Sequence, residues 1–304
     1  MTIASPTPIG RTGRRRQVVV VANTRAHGVA RHDRVERTAA ALAALGADVD
    51  VVRTECPDEV APLWIPEPGR LLVLVGGDGT LHSAANLPGT PPEVALVPAG
   101  TANNVARCLG IPLAPEAAAR VALTGPARPV ALIECRAGGR RVVAVEGLSV
   151  GFLALARSRY HADNSADVRA ALAAGAAALA HFHPMDVRIT EHGLAETIHI
   201  GQLFVANMTC FGTGLRVAPH ADPRDGRLDI VAVDIPGRRA IPAMLVRLRR
   251  GTHLGHRGVR GWPDTSLRIE TRGRSPVMAD TEDLGPGPVD VRVLPGALPL
   301  VAPA

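Results

Sequence analysis

Two short segments bring glycine, hydroxyl and carboxylate together in a way that suits phosphate chemistry. The first is Gly76-Gly77-Asp78-Gly79-Thr80, directly after the apolar run Leu71 to Val75. Glycines let the backbone approach phosphate oxygens, and the free N–H groups of a following helix start favour anions. Thr80 adds a hydroxyl donor. Asp78 would repel a phosphate, so beside one it needs a divalent cation or a proton to handle. Its plain alternative is a helix cap. The second segment is Pro98-Ala99-Gly100-Thr101-Ala102-Asn103-Asn104, after the short apolar run Val94 to Val97. By itself it reads as an N-capped helix. Beside the first at the carboxyl edge of a parallel sheet, it completes a phosphate crevice.

Other residues exclude classes of chemistry. The 304-residue chain carries no lysine, so a Walker A loop, which requires one, is ruled out. Any phosphate clamp must use backbone N–H groups, arginine or metal. The formal charge of +6 favours anionic partners, yet aromatic residues make up 2% of the chain, too few for base stacking. No nucleic-acid partner is expected, and a peripheral membrane surface is. Cys56, Cys108, Cys135 and Cys210 lack CxxC spacing and read as reduced thiols. Met1 to Gly13 has no signal-like apolar core, so a cytoplasmic location is expected, extending to the inner membrane face. His181 with His183, and His253 with His256, lack the cysteine or carboxylate that would complete a metal set. Ser149 has G-x-S-x-G spacing, which reads more simply as a glycine-bearing strand.

The elements that must position these groups fall into two sets. Gln17–Ala22, Asp48–Arg53, Arg70–Val75 and Val94–Val97 are short apolar runs, as strands buried on both faces require. With a helix over Val29–Leu45 they predict a parallel α/β sheet. After Thr124-Gly125-Pro126 the rhythm changes. Strands are expected at Pro129–Cys135, Arg141–Glu146, Asp186–Thr190, Glu196–Asn207, Arg227–Val233, Ser266–Thr271, Pro276–Met278 and Val289–Leu294. Helices are expected over Phe152–His181, interrupted at 163–165, and over Arg238–Arg250. The fold class is therefore an α/β N-terminal domain with a parallel sheet and a β-sandwich-like C-terminal domain. The expected bounds are 1–126 and 127–297, with 298–304 returning to the first domain.

GGDGT followed by PxGTxN resembles the catalytic domain of the diacylglycerol-kinase family, which includes sphingosine kinases and bacterial lipid kinases. Further segments carry the likeness. Asn23-Thr24 through Gly28 resembles a strand-NP-x-x-G loop, and Ala218-Pro219 through Asp229 an APxAxxxDGxLD segment. Asp280-Thr281-Glu282 resembles DGE, and Pro295 through Leu298 a PxAL ending. The resemblance implies a phosphofructokinase/NAD-kinase-like first domain. It also implies that ATP is held by Asn23, Thr24, Gly76, Gly77, Gly79, Thr80, Gly100, Thr101 and Asn103. Asp280 would be the general base with Glu282 beside it, and Asp78 part of a network holding catalytic Mg²⁺. Asp222, Asp225 and the Arg227 carbonyl match a structural Mg²⁺ site; their plain alternative is a β-turn. The substrate implied is a lipid alcohol, and a homodimer is left open.

Four positions depart from that pattern: Thr24 for proline, Asn104 for aspartate in GTxND, Thr281 for glycine in DGE, and Glu146 where asparagine is frequent. Asn104 and Thr281 motivate one rival, a catalytically silent nucleotide-binding or regulatory protein. The other rival is a small-molecule kinase of the NAD-kinase or phosphofructokinase type, which also carries a GGDG turn.

Overall fold

The computed structural model describes residues 16–24, 33–160, 168–271 and 275–304. Its first half runs β1 (Gln17–Asn23), α1 (Arg34–Ala44), β2 (Asp48–Thr54), a 3₁₀ turn over Pro57–Leu63, β3 (Arg70–Gly76), α2 (Asp78–Ala85), β4 (Val94–Pro98), α3 (Asn104–Cys108) and α4 (Pro115–Thr124). The strands stand in the order β2-β1-β3-β4, all parallel. Val18 to Ala22 and Leu71 to Val75 are buried throughout, which explains why these runs do not alternate with polar residues. Arg34 to Ala44 is helical as expected; the earlier part of the expected helix lies outside the described residues. The 3₁₀ turn and α4 were not expected from the sequence, although α4 buries Pro115, Ala118, Ala119 and Ala122 at helical spacing.

The second half follows as β5 (Ala127–Ala137), β6 (Arg140–Ala144), β7 (Gly147–Gly151), α5 (Phe152–Tyr160), α6 (Val168–Ala180), β8 (Met185–Glu191), β9 (Leu194–Ile200), β10 (Gln202–Ala206), β11 (Leu228–Val233), α7 (Ile241–Arg250), β12 (Val259–Asp264), β13 (Ser266–Thr271), β14 (Val277–Ala279), β15 (Glu282–Asp283) and β16 (Pro288–Val301). Strand β16 joins the halves. Its last residues pair in parallel with β4 (Leu300 with Val94), its earlier ones antiparallel with β13, and β5 runs antiparallel to both parts. A second sheet, β12-β11-β10-β7-β14-β15, is antiparallel. Ile133, Ile189, Ile269 and Val291 from the first sheet meet Leu148, Leu203, Ile230 and Val277 from the second in one core. That is a sandwich packing.

Two expectations need correction. Glu196–Asn207 is not one strand: β9 belongs to the first sheet and β10 to the second. The chain changes sheets at Gly201, where a Cβ would lie 2.3 Å from Ile235 Cβ. Strand β12 was missed because Gly261, Pro263 and exposed Arg260 interrupt its apolar signal.

Candidate active site

The two glycine turns lie in contact. A Cβ on Gly77 would stand 2.7 Å from Gly100 Cα, and one on Gly100 would stand 2.6 Å from Gly77 Cα. The Ala99 N–H donates to the Gly76 carbonyl at 2.7 Å, tying β4 to the end of β3. Asn103 has φ 51° and closes the second turn on itself: its Oδ1 accepts from the Gly100 N–H and its Nδ2 donates to the Gly100 carbonyl.

Asp78 opens α2 but caps a different helix. Its Oδ2 accepts from the Asn104 N–H at 2.9 Å and its Oδ1 from the Val105 N–H at 3.0 Å. The carboxylate thereby serves the free N–H groups at the start of α3 and locks one turn to the other. Burial pushes the Asp78 carboxyl up; those N–H bonds oppose the rise and the Asp280 charge adds to it.

Asn104 is fully buried and donates through Nδ2 to Glu146 Oε2 at 2.8 Å and to the Gly212 carbonyl at 2.7 Å. Its Oδ1 is buried with no partner. The two departures at Asn104 and Glu146 are thus one amide–carboxylate pair with its ends exchanged. The carboxylate absent at 104 returns in space at 146. Burial drives the Glu146 carboxyl well above the ordinary range, and the charges of Asp78 and Asp280 push the same way.

Asp280 reaches this cluster from the turn between β14 and β15. Its Oδ1 accepts the N–H groups of Glu146 (3.0 Å) and Gly147 (2.9 Å), and its Oδ2 that of Val145 (2.6 Å). His82 Nδ1, from α2, lies 3.0 Å from Oδ2. Both side chains are buried. Burial alone would lower the His82 pKa, but the Asp280 hydrogen bond and charge, helped by Glu282, raise it overall. Left-handed backbone in the turn falls on Asp280 itself (φ 47°) rather than on Thr281, so threonine is accommodated where the resemblance has glycine. Gly147 keeps the facing segment close: a Cβ there would sit 2.5 Å from the Val205 carbonyl oxygen.

The remaining candidates spread around this centre. Asn23 and Thr80 line a narrow slot with Val21, Cys56, Val60 and Leu87. Thr24 bonds to the Thr54 carbonyl through its N–H and its hydroxyl; residues 25–28 lie outside the described ones. Thr101 lines a cleft of 760 Å³ with Thr213, the apolar Ile111 and Leu113, and Arg107 and Arg249. Gly79 faces open space. Glu282 points outward and pairs with Arg140 at 3.4 Å. Asp222, Asp225 and Arg227 lie on a separate turn, closed by the Asp225 N–H on the Asp222 carbonyl. There Arg224 holds Asp222 Oδ1, and Asp225 Oδ1 accepts the Arg227 N–H. Among the described residues no group of three His, Cys, Asp or Glu is arranged to hold a metal. Ser149 is buried within β7. Sequence reasoning missed His82; its place four residues after Asp78, one helical turn on, was the available signal.

Residues 17–135 match the diacylglycerol kinase catalytic domain, and residues 148–302 the YegS C-terminal NAD kinase beta sandwich-like domain. The chain belongs to the diacylglycerol-kinase family of lipid kinases. This lipid kinase is 28% identical over 248 residues, 76% of each chain, to a diacylglycerol kinase of Mycobacterium tuberculosis. It is also 28% identical over 245 residues, 77% of each, to a probable lipid kinase YegS-like of Pseudomonas putida. The crystal structure of a diacylglycerol kinase from Bacillus anthracis superposes with a TM-score of 0.70 at 19% identity, covering 96% of this chain and 98% of that one. An NAD kinase from Archaeoglobus fulgidus in complex with ATP shares the fold at a TM-score of 0.51 and 16% identity, covering 91% and 90%. The family match answers the rival small-molecule-kinase reading.

Proposed function

We propose that this lipid kinase transfers the γ-phosphoryl group of ATP to a hydroxyl of diacylglycerol or a related lipid alcohol, with the reaction centred between the two glycine turns and Asp280. One observation carries the reading. Asp78, Asn104, Glu146, Asp280 and His82, drawn from both halves of the chain, form one buried polar cluster beside two touching glycine turns.

Phosphoryl transfer needs positioning and charge neutralisation above all. The triphosphate would lie over the turns at Gly76–Thr80 and Gly100–Thr101, with the open space at Gly79 admitting its oxygens. Asn23 and Thr80, on the wall of the narrow slot, and Thr24 beside it would contact the rest of the nucleotide, while Asn103 keeps its turn in shape. The acceptor lipid would enter the 760 Å³ cleft, its chains against Ile111, Pro112 and Leu113. Its hydroxyl proton would leave toward the Asp280 end of the cluster.

The buried Asn104 Oδ1 without a donor, next to Asp78, fits a Mg²⁺ that arrives with the nucleotide, because Mg²⁺ is commonly held by one or two protein oxygens plus phosphates. Asp78 and Asn104 would then hold it, and it would neutralise phosphate charge. The Asp222–Asp225 turn fits a cation poorly, since Arg224 already occupies Asp222. No helix among the described residues is long and apolar enough to cross a membrane. Arg249 lies on the rim of the lipid cleft, and with Arg247 and Arg250 on α7 it supports a peripheral approach to anionic headgroups.

The test is transfer of labelled phosphate from ATP with Mg²⁺ into diacylglycerol, monoacylglycerol, sphingoid-base and prenol acceptors in mixed micelles. Transfer into one of them is expected. ATP binding without transfer to any would instead favour the silent regulatory reading.

A further inference from the structure

An ionised carboxylate offers about four acceptor positions. In Asp280 all four are taken: two on Oδ1 by the Glu146 and Gly147 N–H groups, two on Oδ2 by the Val145 N–H and His82. The backbone donors cannot step aside, since the Asp280 N–H is itself bonded to the Gly147 carbonyl and the turn is held at a left-handed φ of 47°. A carboxylate so saturated has no acceptor position left for a substrate hydroxyl. His82 is the one side chain among its partners. With Nδ1 committed to Asp280, its Nε2 makes no hydrogen bond among the described residues. Asn86, one turn further along α2, clamps the same helix to β6 through both amide atoms on Val143, so the imidazole is held from a fixed helix.

We propose that His82 and Asp280 act as one proton-accepting unit, in which Asp280 orients the imidazole through Nδ1 and His82 Nε2 takes the proton of the acceptor hydroxyl. This rests on the kinase reading above. The acceptor O–H bond breaks with its proton passing to Nε2, and the oxygen bonds to the γ-phosphorus. The bond from that phosphorus to the β–γ bridging oxygen breaks, its electron pair leaving with ADP, and the imidazolium later releases its proton to water. Asp280 thus becomes the positioning residue and His82 the catalytic one. The charged groups facing His82 are Asp280, Glu282 and, from α5, Arg157; Asp78 and Glu146 face Asp280 in turn.

The first arm of the test needs no substrate. Long-range ¹H–¹⁵N NMR of the full chain, well above neutral pH, reads the tautomer of each neutral histidine, with the His82 signal assigned by its loss in His82→Asn. The expected form carries its hydrogen on Nδ1 and reverts to the commoner Nε2–H form in Asp280→Asn. An Nε2–H tautomer in the wild type overturns the proposal whatever the substrate. The second arm is phosphoryl transfer from ATP to diacylglycerol in mixed micelles by His82→Asn, which keeps an N–H donor toward Asp280, and by His82→Ala with and without added imidazole. Loss of about 10²–10⁴-fold in kcat is expected for both variants, the range of general-base contributions, with imidazole restoring part of it in His82→Ala. Full activity in His82→Asn overturns the proposal. A wild type inactive on every lipid tested would sink the kinase reading instead, while the tautomer still decides whether the dyad exists.

Discussion

Two buried carboxylates in this protein sit in opposite surroundings. Glu134, on the sheet face formed by β5, β6 and β16, is buried beneath Arg136, Arg141 and Arg292. Burial would raise its pKa, but the three guanidinium groups hold it down to about 2. Glu146 meets an amide and two other carboxyls, and its pKa is driven up. The first arrangement satisfies a charge and asks for nothing more. The second concentrates acidic groups that a protein gathers where charge or protons move. Burial of a carboxylate therefore marks a staple in one place and, on the proposed reading, a reaction centre in the other.

The sharpest test of this contrast is Asp280→Asn. An amide cannot accept the N–H groups of Glu146 and Gly147 and hold His82 as a carboxylate does. A loss of about 10⁴-fold in kcat is expected, on the scale of removing the carboxylate from a His–Asp pair, measured by labelled transfer. Next comes Glu146→Gln, which keeps an acceptor for Asn104 but removes the charge. Activity should fall about 10–100-fold, as for lost supporting partners. Stability should move the other way. A carboxyl with a raised folded pKa costs the wild type stability as pH climbs from the ordinary carboxylate value through the raised one. Thermal melts at neutral pH should therefore place Glu146→Gln above the wild type. Combining Asn104→Asp with Glu146→Asn returns the pair to its other orientation, and activity above either single variant is expected.

Gly100→Ala comes third. Its Cβ meets Gly77 Cα at 2.6 Å, so the turns must part at a cost of about 1–3 kcal/mol. Calorimetry should show weaker ATP binding. The smallest effect is expected for Glu134→Gln. Its arginines are more than half exposed, so screening limits the loss to about 1 kcal/mol. The sign follows from the depressed pKa: the contribution is present above the ordinary carboxylate value and lost as pH falls toward about 2. Urea melts across that range should lose this acid-side slope in the variant, with kinase activity unchanged at neutral pH. Should Glu134→Gln impair catalysis as strongly as Glu146→Gln, the contrast between the two regions would collapse.

The parallel half of the fold was legible in the sequence because strands buried on both faces read as unbroken apolar runs. The glycine turns were legible because two strand ends packed as closely as Gly77 and Gly100 need residues without a Cβ. The exchange of sheets at Gly201 was not, since a glycine inside an apolar stretch does not say which neighbours crowd it. Strand β12 was hidden by its exposed, interrupted face.

Sequence alone determined the candidate chemistry: no lysine clamp, two helix-starting glycine turns, and a late aspartate, in an order that resembles the diacylglycerol-kinase family. Tertiary structure decided what each group does with its neighbours. It turned Asp78 into the cap of another segment's helix. It paired Asn104 with Glu146 across 42 residues and His82 with Asp280 across 198. The reason is physical: a residue's type sets which hydrogen bonds and charges it can offer, but burial and distant partners set which of them are used.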